Sequence, residues 1–90
     1  MYRKQLTNVV QESVLEGRIP AKVIAKQIGK PYSTLLREMN PYDEKAKLGI
    51  ETLMEIIRTT GDIAPLRFMA AEFGYGITTE DQGLEELAQA

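Results

Sequence analysis

Apolar positions along the chain recur at three- and four-residue intervals, the repeat of amphipathic helices, and glycine or proline interrupts each run. The clearest run is Ala21 to Ile28, where Ala21, Ile24, Ala25 and Ile28 share one helical face. Gly29 predicts the stop of that helix, because glycine adopts the left-handed backbone of a helix C-terminus without a Cβ clash. Pro31 opens a second short helix, Tyr32 to Met39, with Leu35 and Met39 as its buried stripe and Leu36 at the border. Asn40-Pro41 ends it, since a residue before proline is pushed out of helical geometry.

The flanking pattern supplies three more helices. Tyr2 to Glu16 predicts the first, with Leu6, Val9, Val10, Ser13 and Val14 inward and Arg3, Lys4, Gln11 and Glu12 in water. Gly17 is its expected cap, and Ile19 a hydrophobic staple against the following helix. A polar loop, Pro41 to Leu48, leads to a helix over Gly49 to Thr60, in which Ile50, Leu53, Met54, Ile56 and Ile57 are the expected inner residues. Gly61 ends that helix and Asp62 is the expected N-cap of the next, with Pro65 in its first turn. Ile63, Leu66, Phe68, Met69, Ala70 and Phe73 are its expected core, and Gly74-Tyr75-Gly76 breaks it. From Thr79 the acidic tail reads equally as a short helix through Leu84, Leu87 and Ala88, capped by Thr79 with Gln82, or as a solvating segment. The expectation is an all-α bundle of about five helices in lambda-repressor-like order. One domain spans residues 1–76, and a tail or short helix over 77–90 is available for oligomerisation.

The second and third helices carry the candidate chemistry. Where two helices cross steeply, the position nearest the crossing has room only for alanine or glycine. Ala25, four residues before Gly29 and flanked by Ile24, Ile28 and Leu35, has the spacing of a helix-turn-helix. An ordinary helical hairpin with a polar outer face has the same spacing. On the helix-turn-helix reading, the helix over residues 31–39 faces the DNA major groove with Tyr32, Ser33, Thr34 and Arg37, between Lys30 at its entrance and Asn40 at its exit. Arginine reads guanine bidentately, hydroxyls reach phosphates or base edges, and asparagine reads adenine. Lys22 on the preceding helix and Lys45 in the following loop complete the candidate set.

Composition narrows the function classes. Hydrophobic residues at 43% and charged residues at 27% describe an ordinary soluble domain. The chain has no cysteine and no histidine, which removes thiolate zinc sites, cysteine nucleophiles and the commonest general base. No cofactor and no metal are expected, and no pair of carboxylates stands where one would be tuned as an acid, so an enzyme is not expected. There is no membrane-length apolar run and no signal-peptide core, which points to a cytoplasmic protein with no membrane partner. The net charge of −2 is unevenly spread. Residues 1–47 hold nine Lys or Arg against five acids, and residues 48–90 hold two against eight, so the helix pair lies in the basic half.

The run AKQIGKPYSTLLREMNP, the charged loop and Leu48, then IIRTTGD and a helix ending AAEFGY, resembles phage regulatory proteins of the CII type. The resemblance spans roughly Val9 to Tyr75 and rests on Ala25, Gly29, Ser33-Thr34-Leu35, Arg37, Asn40-Pro41 and Gly61-Asp62. It implies sequence-specific binding of double-stranded DNA by a homodimer or higher homo-oligomer that controls phage promoters and lysogeny, with RNA polymerase as a further partner of an activator. Carried over, Ser33, Thr34 and Arg37 are base or phosphate contacts. Leu36 and Glu38 depart from the pattern, so the target sequence does not carry over. The competing expectation is a protein-interaction adaptor or anti-repressor that keeps the fold without strong DNA binding, favoured by the small basic excess and by Glu38. Phe68, Phe73, Tyr75 and Ile77 offer an oligomer surface on the fifth helix and tail, or simply core filling.

Overall fold

The computed structural model describes residues 4–80, which form five helices and no strand. These are α1 (Gln5–Leu15), α2 (Ala21–Ile28), α3 (Tyr32–Glu38), α4 (Ile50–Thr60) and α5 (Ala64–Glu72). α1 packs chiefly on α5, and α2 packs on α4 and α3, with a smaller contact between α1 and α4. The core joins Val10 and Val14 of α1, Ile24 and Ala25 of α2, Leu35 and Met39 from α3 and its cap, and Leu53 and Ile56 of α4. Ala25 is 2% exposed, as a crossing position with no room for a larger side chain requires. Ile19, expected as a staple, is half-buried against this cluster. The all-α expectation therefore holds, down to the limits of α2.

Helix ends match expectation at Gly29 and differ from it at Gly17 and Asp62. Gly29 is left-handed at φ 74°, and the Lys30 N–H closes the turn on the Ala25 carbonyl at 2.9 Å. Gly17 has no such role. Glu16 caps α1, its N–H on the Glu12 carbonyl, and positive φ occurs only at Gly29, Gly61 and Gly74 among the described residues. A Cβ at Gly17 would lie 2.7 Å from the Ser13 carbonyl oxygen, so close approach rather than handedness calls for glycine there. Ile63, not Asp62, occupies the N-cap of α5. From one residue earlier, Asp62 still accepts the Ala64 N–H on Oδ1 at 2.9 Å, and it takes the Ser13 hydroxyl on Oδ2 at 2.6 Å.

Four expected core positions lie outside: Ile50, Met54, Leu66 and Phe73. Ile50 is 76% and Phe73 78% exposed, and Met54 also faces out. The five apolar residues of α4 cover more than one face, and the side occupied by Leu53 and Ile56 is the one that α2 covers. Ile50, Met54 and Ile57 instead line an apolar groove with Leu48, Leu66 and Met69. Among the described residues, no helix is long and apolar enough to cross a membrane. The tail from residue 81 onward, with Leu84, Leu87 and Ala88, lies outside the described residues, as do Tyr2 and Arg3.

Candidate nucleic-acid interface

The turn at Gly29 sets the direction of α3, and the burial of Leu35 and Met39 sets its rotation. What this rotation leaves in solvent is Tyr32, Ser33 and Arg37, with Thr34 half-buried beside them. Lys22 of α2 reaches the same face, its Nζ 5.5 Å from the centre of the Tyr32 ring, within range of a cation–π attraction. Four of the sequence-nominated residues (Lys22, Tyr32, Ser33 and Arg37) thus share one exposed surface of the helix pair.

The charged members are not bare. Lys30 pairs with Glu38 at 2.8 Å, spanning α3 from two residues before its start to its last residue, and both side chains are mostly covered. Glu38, which from sequence opposes phosphate, is thereby matched by a cation. The Nε of Arg37 donates to Asp43 Oδ2 at 3.1 Å, while the Arg37 side chain keeps 63% of its surface exposed. Asn40 is a turn builder: its Oδ1 accepts the Tyr42 N–H at 2.9 Å, and its carbonyl accepts the Asp43 N–H at 3.1 Å. Lys45 lies on the loop with its side chain in water and its N–H on Asp43 Oδ1 at 3.0 Å.

Asp43 is the hub of this loop. Its Oδ1 also accepts the Ala46 N–H at 3.0 Å. The Ala46 N–H, then the Arg37 guanidinium, hold its carboxyl below the usual aspartate range, with the Lys45 N–H adding to them against a smaller opposing effect of desolvation. Lys4, expected in water, crosses from the start of α1 and donates to the carbonyls of Asp43 and Ala46 at 2.6 Å each.

The sequence profile of phage regulatory protein CII (CP76) matches residues 4–90. The chain belongs to that family. No curated protein and no solved structure matches it. Family membership places the chain among phage regulatory proteins, in agreement with the resemblance drawn over Val9 to Tyr75.

Within this CII-family chain, sequence reasoning missed Asp43 and Lys4. Asp43 had a local signal, since aspartate three residues after an Asn-Pro turn commonly caps following amides. Lys4 had none, because its acceptors are 39 and 42 residues away.

Proposed function

We propose that the protein is a sequence-specific transcription regulator of the phage type, working in the cytoplasm, with α3 seated in the major groove of double-stranded DNA. The observation that carries this reading is the exposed face of Tyr32, Ser33 and Arg37 beyond a glycine-pinned crossing at Ala25, in a chain of a phage regulatory family. Arg37 is the base-reading residue, and Ser33 and Thr34 contact base edges or phosphate. Lys22, Tyr32 and Lys45 contact the backbone, with Lys30 and Asn40 bracing the two ends of the helix. A single short recognition helix makes few base contacts, so the active species is a homo-oligomer on a repeated or inverted site. A second copy fits the apolar face of Ile50, Met54 and Leu66, whose groove contains no residue of α2 or α3 and leaves the DNA face free. RNA polymerase is a further partner if the protein activates.

The test is a salt titration of binding to duplex DNA by fluorescence anisotropy, with molecular mass by light scattering. Affinity should fall linearly on a log–log plot, the slope counting the phosphates neutralised. Arg37→Ala should cost roughly 1–3 kcal/mol on a selected site and leave the fold intact. A second reading, a protein-interaction adaptor, is favoured by the pairing of Lys30 with Glu38 and Arg37 with Asp43, which cancels much of the positive charge of α3. Absence of binding by the folded protein at about 50 mM salt would select the adaptor, because electrostatic binding is strongest at low salt.

A further inference from the structure

Asp43 contacts the exposed arginine of α3 while every other bond it makes is to backbone or to the brace from α1. Its Oδ1 accepts two amides, from Lys45 and Ala46, each at 3.0 Å. Its N–H donates to the Asn40 carbonyl at 3.1 Å, and its own carbonyl accepts Lys4 Nζ at 2.6 Å. The carboxylate is therefore fixed by the chain on both sides, and its Oδ2 presents a fixed acceptor to Arg37 Nε at 3.1 Å. A guanidinium carries five N–H donors in one plane. Asp43 takes the Nε donor and leaves the terminal amino groups, on a side chain 63% exposed, for an outside acceptor. Guanine offers two acceptors, O6 and N7, on its major-groove edge, and paired terminal amino groups match them.

We propose that Asp43 is a specificity-determining positioning residue: by holding Arg37 at Nε from a braced loop, it presets the terminal edge of the guanidinium for guanine. This inference rests on the DNA-binding reading above. An untethered arginine swings as readily to phosphates, which carry no sequence information. The carboxylate also adds a negative charge beside the DNA face, which weakens binding to every duplex alike. Asp43 therefore lowers general affinity while raising discrimination, and these opposed effects separate it from a residue that merely stabilises the loop.

The experiment selects duplexes from a randomised DNA pool with the wild-type protein, Arg37→Ala and Asp43→Asn, then measures each protein on the selected duplex and on its single-base variants. Asparagine keeps an oxygen for the Lys45 and Ala46 amides but removes the charge that holds Arg37. Wild type should enrich a guanine that Arg37→Ala no longer selects. Asp43→Asn should lose roughly tenfold of the discrimination at that same base pair. It should keep the preferences elsewhere, melt cooperatively, and bind random duplex as well as or better than wild type. Undiminished guanine discrimination by Asp43→Asn would overturn the proposal, and so would a uniform loss at all positions with weaker random binding. Failure of the wild-type protein to enrich any duplex would instead sink the DNA-binding reading, and the role of Asp43 with it.

Discussion

Asp62 ties α1 to the start of α5 through a single carboxylate. The Ser13 hydroxyl on Oδ2, and then the Ala64 N–H on Oδ1, hold its carboxyl below the ordinary aspartate range, partly opposed by desolvation. A carboxyl with its folded pKa depressed contributes stability above its unfolded pKa, near 3.8, and loses that contribution as pH falls through the folded value. Ser13→Ala should therefore destabilise the domain by about 1 kcal/mol at pH 7, discounting a hydrogen bond to a charged group for its partial exposure. Urea denaturation at pH 7 and again below pH 3 checks this: the difference between the two proteins should shrink in acid, where the protonated carboxyl no longer favours the bond. A difference of the same size at both pH values would mean that the serine acts through packing alone.

At the scale of elements, the α3–α4 connection is a braced part of the candidate interface rather than slack chain. Lys4 donates to the carbonyls of Asp43 and Ala46, so the start of α1 sets the shape of a loop about 40 residues later. Lys4→Met keeps much of the aliphatic stem and removes both bonds. It should cost about 1–2 kcal/mol and speed amide exchange at Lys45 and Ala46, while the α2 amides stay protected. Unaltered loop exchange would show that the Asp43 carboxylate holds the loop without its brace. The contrast with the helix pair explains what the sequence could convey. α2, its glycine stop and the proline entry to α3 depend on signals within a few residues, and all were readable. Lys4 and Asp62 owe their roles to contacts across the fold. Glycine at 17 reads as a cap although crowding by the Ser13 carbonyl explains it. The exposed face of α3 was legible for the same local reason, since Leu35 and Met39 fix its rotation. The partners of Lys30 and Arg37 were not, because charge spacing does not say which carboxylates a turn brings close.

Across the whole molecule, the apolar surface is distributed unequally. Ile50, Met54 and Leu66 are exposed along one groove between α4 and α5, and Phe73 and Tyr75 are exposed just beyond it. Helical periodicity marked Ile50 and Met54 as inner residues because it records that a side chain is apolar and not what covers it. If the proposed oligomer forms through this face, introducing a charge by Met54→Glu should leave the fold unchanged and lower the mass seen by light scattering to that of a monomer at micromolar concentration. On the DNA-binding reading, DNA affinity should then fall without any change in the base preferences of α3. An oligomer of unchanged mass would exclude this face and return attention to Phe73, Tyr75 and Ile77.

The bridge between Lys30 and Glu38 also bears on timing. On the DNA-binding reading, an unmatched lysine at the head of α3 would pull the protein towards any duplex from beyond contact range and hold it there. With Glu38 at 2.8 Å that pull is largely cancelled before the encounter. On that reading, arrival at DNA should be slower than an unmatched lysine would make it, and departure from an incorrect site quicker. The choice of site would then rest on how long the protein stays rather than on how fast it arrives.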